Sequence, residues 1–243
     1  PQSPAGLVSK AVFSADGKQM ATTVDDGKGT IVLWDLQTGT RRLSFIGAGR
    51  QTADMAFSPD GRQFATVAAE WLTRLVNGRS EFAGWTSAIT VWDVDSGRRL
   101  VRCTTGDGSA NSVRFSADGR LLAAACGRQW DVTIWDVATA RKVVAFAPPA
   151  QAVMAGAFGL TFSPSGTYVA SGVWAMDRGG HRHPPRIVIW NIATGSQAAF
   201  LPHPAGYLGD NGFSCVAFSH NGQWLAAGAG KDTIVWPVPR LRK

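Results

Sequence analysis

Few residues in the 243-residue chain are of types and spacings that could do chemistry. The stretch DRGGHRHPP holds Asp177, His181 and His183, with His203 further along, and a carboxylate with imidazoles is a ligand set for zinc or a similar ion. Two histidines separated by one residue, with no third ligand at a fixed distance, do not match a metal motif, so the segment reads as a solvated loop and no metal is expected. Cys103, Cys126 and Cys215 are odd in number and lack metal spacing, so they read as buried free thiols. There is no pair of carboxylates on one strand and no nucleophile elbow, so no catalytic residue is expected; a metal-dependent enzyme centred on His181 and His183 is the contrasting reading. DDGKGT at 25–30 leads into no helix, so it is a hairpin turn rather than a phosphate cradle, and no cofactor is expected.

The elements that would position these residues are copies of one unit. TIVLWDLQTG at 30–39 recurs as AITVWDVDSG at 88–97, VTIWDVATA at 132–140, RIVIWNIATG at 186–195 and TIVWPV at 233–238. Each is preceded by a second marker, FSADG, FSPDG, FSADG, FSPSG or FSHNG, starting at Phe13, Phe57, Phe115, Phe162 and Phe218. A recurring unit is a supersecondary element that buries its apolar face against its neighbours.

Pro59 and Asp60 suit the centre of a type I turn, and Gly61, like Gly17, Gly119, Gly166 and Gly222, a position of positive φ, so the marker turns strand a into strand b. Small residues follow at Ala21, Ala65, Ala123, Ala170 and Ala226, as a crowded interior requires. In strand c, Ile31 and Leu33 point one way and Val32 and Trp34 the other, so both faces are apolar and the strand is sandwiched. A fourth strand after Gly39, Gly97 and Gly195 gives four per copy, a propeller blade. Trp34, Trp92, Trp135, Trp190 and Trp236 are read as structural.

FSPDG, a small-residue strand and ITVWD with Ser/Thr-Gly together resemble the WD-repeat (WD40-type) β-propellers. The resemblance covers nearly the whole chain in five copies and implies an all-β fold of four-stranded antiparallel blades. No copy has the Gly-His pair that often opens such a repeat, and Asn191 and Pro237 replace the Asp after Trp. These departures bear on the family's His–Asp hydrogen-bond network rather than on the fold.

One propeller region is expected over 1–243, with blades at 7–46, 53–103, 111–147, 156–201 and 212–238, the last without its fourth strand. Propellers leave only short protected edges. The five blades are therefore expected to belong to a larger ring of about seven, the rest coming from upstream residues or another chain; a five-bladed ring sealed by a partner strand is the alternative. No apolar run approaches the roughly 18 residues of a membrane helix, so a soluble protein with no membrane partner is expected, in the cytoplasm for want of a signal peptide. The preference for Arg over Lys points to a GC-rich bacterial genome.

Function is expected where the copies differ, because loops on a rigid scaffold carry specificity. The a–b and c–d turns are short and uniform, whereas the b–c connection swells to 70–87 in blade two and 173–186 in blade four. In an up-and-down blade the d–a connections share that rim, adding 103–111, 147–157 and 202–212. Trp71, Arg74, Arg79, Phe82 and Trp85 from one insertion, Trp174, Met176, Arg178, Arg182 and Arg186 from the other, and Tyr207 are of types enriched at interface hot spots. A non-catalytic scaffold binding a protein or peptide, with Arg suited to acidic groups, is expected; the alternative is a permanent structural subunit of an assembly. The net charge of +7 includes Arg41-Arg42, Arg98-Arg99 and Arg141-Lys142 at solvated strand ends. No aromatic stacking stripe accompanies them, so nucleic acid is not an expected partner.

Overall fold

The a–b marker closes on itself. Ser58 Oγ donates to Asp60 Oδ1 at 2.6 Å and accepts from the Gln63 N–H at 2.9 Å, while the Gly61 N–H donates to the Ser58 carbonyl at 2.9 Å. Gly61 has φ +70°, and the equivalent Gly17, Gly119, Gly166 and Gly222 lie between +68° and +72°, where a side chain would be strained. The c–d turn uses the carboxylate after Trp: Asp35, Asp93 and Asp136 accept backbone N–H bonds from Thr38, Ser96 and Thr139, and Asn191 Oδ1 accepts one from Thr194. These turns end in glycines at positive φ except in the third copy, where Ala140 sits at +57°. A left-handed non-glycine residue costs about 1 kcal/mol or slightly more, and glycine's extra freedom in the unfolded chain offsets part of the relief. Ala140→Gly should therefore raise stability by about 0.5 to 1 kcal/mol, read as a higher midpoint of thermal unfolding.

The structure, a computed structural model, describes residues 7–47, 52–76, 79–107, 110–126, 132–146, 154–203, 213–229 and 231–239. Their regular elements are strands arranged as antiparallel meanders. Blade 1 is β1 (Leu7–Phe13), β2 (Gln19–Asp25), β3 (Thr30–Asp35) and β4 (Thr40–Ile46). Blade 2 is β5 (Thr52–Phe57), β6 (Gln63–Val76), β7 (Arg79–Asp93) and β8 (Arg99–Asp107). Blade 3 is β9 (Ala110–Phe115), β10 (Leu121–Cys126), β11 (Val132–Asp136) and β12 (Lys142–Phe146). Blade 4 is β13 (Met154–Phe162), β14 (Tyr168–Met176), β15 (Arg182–Asn191) and β16 (Gln197–Pro202). Blade 5 shows β17 (Phe213–Phe218), β18 (Trp224–Ala229) and β19 (Asp232–Pro237) among the described residues. Successive first strands, from β1 to β17, neighbour one another and so lie innermost.

The core lies between blades and follows one rule. Phe64 and Trp92 of blade 2 pack on Ala21, Ile31 and Leu33 of blade 1, and Leu122 and Trp135 of blade 3 on Ala65, Val67, Ile89 and Val91 of blade 2. Trp190 of blade 4 meets Ala123, Val132 and Ile134, and Leu225 and Trp236 of blade 5 meet Ala170, Ile187 and Ile189. A Trp-bearing face thus always meets the small and branched face of the blade before it. In blades 1 and 2 the indole N–H donates to a strand-b threonine: Trp34 to Thr22 and Trp92 to Thr66, both at 3.0 Å.

The two terminal faces differ from these interfaces. On the Trp face of blade 1, Phe13 is 63% and Ile46 62% exposed and Trp34 only half-buried; on the opposite face of blade 5, Trp224 is 48% and Val235 55% exposed. Strand c is therefore covered on both sides in the inner blades, while the terminal faces keep large apolar side chains in solvent.

Candidate functional site

The expected loop insertions are strands. In blade 2, β6 and β7 continue to pair past the body of the sheet, from Trp71↔Trp85 through Thr73↔Phe82 to Val76↔Arg79. Pairing of β5 with β6 ends at Thr52↔Ala68 and that of β7 with β8 at Thr86↔Asp107. Six pairs therefore project as a two-stranded ribbon, about 20 Å long at 3.4 Å per residue. The Asn77-Gly78 pair that follows WLTRLV is the ordinary local code of a hairpin. A single bulge, at the register shift between Leu72 and Thr73, breaks its regularity.

In blade 4 the DRGGHRHPP segment is likewise a turn between strands rather than a loop. β14 and β15 pair out to Met176↔Arg182, and β13 covers β14 as far as Met154↔Met176. The turn is built on Asp177, whose Oδ1 accepts the N–H groups of Gly179 at 2.8 Å and His181 at 3.0 Å and lies 3.3 Å from His181 Nδ1. The backbone N–H of His181 is the first of several donors that hold the Asp177 carboxyl below its ordinary range. That carboxylate is occupied by its own turn. His183 is opposite Ala175 in the ladder, and His203 packs its ring 5.6 Å from Phe213, so the three histidines do not converge. Among the described residues no three His, Cys, Asp or Glu side chains gather as metal ligands.

Of the expected interface residues, Arg79 and Arg178 are exposed, while Trp174, Met176 and Arg186 are half-buried. Arg186 places its guanidinium 5.9 Å from the Phe200 ring centroid, a cation–π contact that fixes its orientation. Trp71, Arg74, Phe82, Trp85 and Arg182 are placed along the strands by register, but their side chains lie outside the described residues, as do all of Tyr207 and most of 147–157 and 202–212. On the opposite rim, Arg42 pairs with Asp95 of the next blade and donates to Gln19 Oε1 at 3.0 Å.

The sequence reading missed a buried charge on the inner strands. Asp54 of β5 has a side chain only 7% exposed; Oδ1 meets Lys10 Nζ of β1 at 2.9 Å and Oδ2 meets the Arg114 guanidinium of β9 at 2.6 Å. Ser112 Oγ and the Val113 N–H also donate to Oδ2, each at 3.1 Å. Burial pushes this carboxyl up, but Arg114, Lys10 and the Val113 N–H together hold it below its ordinary value. One side chain thus ties three blades together at the axis. Its signal was available: Lys10, Asp54 and Ser112 each stand three residues before the marker Phe, a polar residue at the same place in three copies.

Comparison with known proteins fits this geometry. The family model "WD domain, G-beta repeat" matches residues 98–136 and 203–236. Over 98% of its length the chain superposes, with a TM-score of 0.72, on the β-propeller domain of Cps50 (Swd1) from Myceliophteria thermophila, 16% identical, of which it covers 67%. Two stretches of the chain are thus WD repeats, and its fold is a β-propeller.

As a WD-repeat chain it is similar to Coronin-7 of Mus musculus, 38% identical over 81 residues, which span 30% of this chain and 9% of that protein. It is also similar to the WD repeat-containing protein SL1-17 of Schistosoma mansoni, 26% identical over 166 residues, or 57% of this chain and 53% of that one. The WD-repeat region therefore spans about half of one relative and less than a tenth of the other. Both are eukaryotic and lend no support to the bacterial origin expected from the Arg content. Propellers of this family generally serve as non-catalytic protein-interaction scaffolds. No described helix is long and apolar enough to cross a membrane.

Proposed function

We propose that this WD-repeat chain is a non-catalytic interaction module that binds a protein or peptide through the rim carrying the blade 2 and blade 4 hairpins. The observation that supports it most is the asymmetry between rims. The described a–b turns share one hydrogen-bonding scheme and the c–d turns another, whereas two of the b–c connections are extended into hairpins on the other side. Extended hairpins rich in Trp, Arg and Met supply desolvated anchors and charge-assisted hydrogen bonds. Trp85→Ala and Arg182→Ala should each weaken partner binding by about tenfold with little change in thermal midpoint. Loss of stability with binding intact would make them packing residues and the rim the wrong face.

A second reading, permanent structural membership of an assembly, is favoured by the two terminal faces. Four blade interfaces pair a Trp face with a small and branched face, and the exposed faces of blades 1 and 5 are one of each kind. Further blades, on this polypeptide or another, would continue the series into a larger ring. Purification of the native form with mass spectrometry of its components distinguishes the cases: a partner that resists high salt and dilution supports permanent assembly, and one that dissociates supports reversible recognition.

A further inference from the structure

Among the described residues, the inner edge of the blade 2 ribbon has no strand paired to it. In β6 the Gln63 carbonyl accepts from Ser58 N–H toward β5, while the Arg62 carbonyl accepts from Val94 N–H on the β7 side. Backbone groups alternate sides along a strand, so odd residues of β6 address β5 and even residues address β7. Beyond Ala68 no described strand pairs with the inner side of β6, and the N–H and C=O groups of Trp71, Thr73 and Leu75 aim at that edge. β5 is innermost, so the edge faces the ring axis. The other ribbon edge carries the bulge, whereas 71–76 contains neither Gly nor Pro. The blade 4 hairpin differs: β13 covers β14 to Met176, and Pro184 and Pro185 remove donors from β15.

We infer that this inner edge is a strand-addition site for an extended acidic segment of a partner protein. The inference rests on the rim reading above and specifies how that rim would bind. An added strand would take the place that β5 leaves beyond Thr52, drawing affinity from main-chain hydrogen bonds and specificity from alternate side chains. The acidic character follows from blade 4 on the same rim. There Arg178, Arg182 and Arg186 accompany a single carboxylate, Asp177, that is already engaged by its turn.

The probe is a capped ten-residue peptide alternating valine or threonine with glutamate, compared with its lysine counterpart and with a copy N-methylated at alternate residues, by fluorescence anisotropy on the intact chain. The glutamate peptide should bind, and N-methylation should cost about tenfold or more. Thr73→Pro removes one outward N–H and spares the β6–β7 ladder, so it should cost a similar factor, whereas Thr73→Ala should stay within about twofold. Arg74→Pro, which breaks the ladder, shows what loss of the ribbon itself looks like. Failure of the glutamate peptide to bind, equal binding of the N-methylated copy, or preference for lysine overturns the inference. So does a concentration-dependent dimer that Thr73→Pro abolishes, which would assign the edge to a second copy. If Trp85→Ala and Arg182→Ala weaken the native partner and Thr73→Pro does not, the rim stands and strand addition fails; if none of the three matters, the rim reading fails.

Discussion

Asp54→Ala is expected to destabilise the fold by about 2 to 3 kcal/mol. Breaking one partner of a fully buried ion pair costs about 3 to 5 kcal/mol, and here Lys10 and Arg114 are each about two-fifths exposed, so they recover hydration when the carboxylate is removed. The loss also leaves Ser112 Oγ and the Val113 N–H without their acceptor. Urea unfolding checks the magnitude. The pH dependence identifies the cause. Because the folded carboxyl lies below its ordinary value of 3.8, its contribution is present above the unfolded value and is lost as pH falls through the folded one. The gap between wild type and Asp54→Asn should therefore be constant near neutrality and narrow below about pH 4. A gap that persists into acid would mean that packing, not charge, is what Asp54 supplies.

The larger effect is expected at Gly159. It forms the bulge in β13 at φ +63°, and a Cβ there would lie 2.9 Å from Cys215 Cα and 3.0 Å from Val216 N, both backbone atoms of β17 that cannot rotate away. Gly159→Val adds left-handed strain of about 1 to 2 kcal/mol to overpacking of about 1 to 3 kcal/mol, or about 2 to 5 kcal/mol in all. Because the clash lies between blades 4 and 5, hydrogen exchange should quicken first across β17 to β19 while blades 1 to 3 keep their protection. Uniform loss of protection would show that the blades unfold as one unit.

Much of this fold was legible because it is written locally and repeatedly. The a–b marker carries its own serine clamp and glycine, and the alternation in TIVLWD specifies a strand with two apolar faces. What escaped was of two kinds. The Asp54 cluster joins residues 44 and 60 positions apart, so no window along the chain contains it; only comparison of the copies at one place would have drawn attention to it. The hairpin nature of 70–87 was readable from Asn77-Gly78, but length beyond the other copies made the segment look like a loop. At the rim itself, residue types suggested an interface, while the edge of β6 left unpaired among the described residues depends on where neighbouring strands stop, which composition does not encode.

The rule that a Trp face meets a small and branched face also gives the array a direction. Its two ends are complementary to each other and not to themselves, so any association between copies through them is heterologous: it closes into a ring if the rotation per blade allows and otherwise grows as an open filament. A symmetric dimer through these faces would oppose each face to its own kind and would forfeit the interlocking seen at the four interfaces. The same polarity that stacks the blades in order would make any contact between exposed blade faces head-to-tail rather than symmetric.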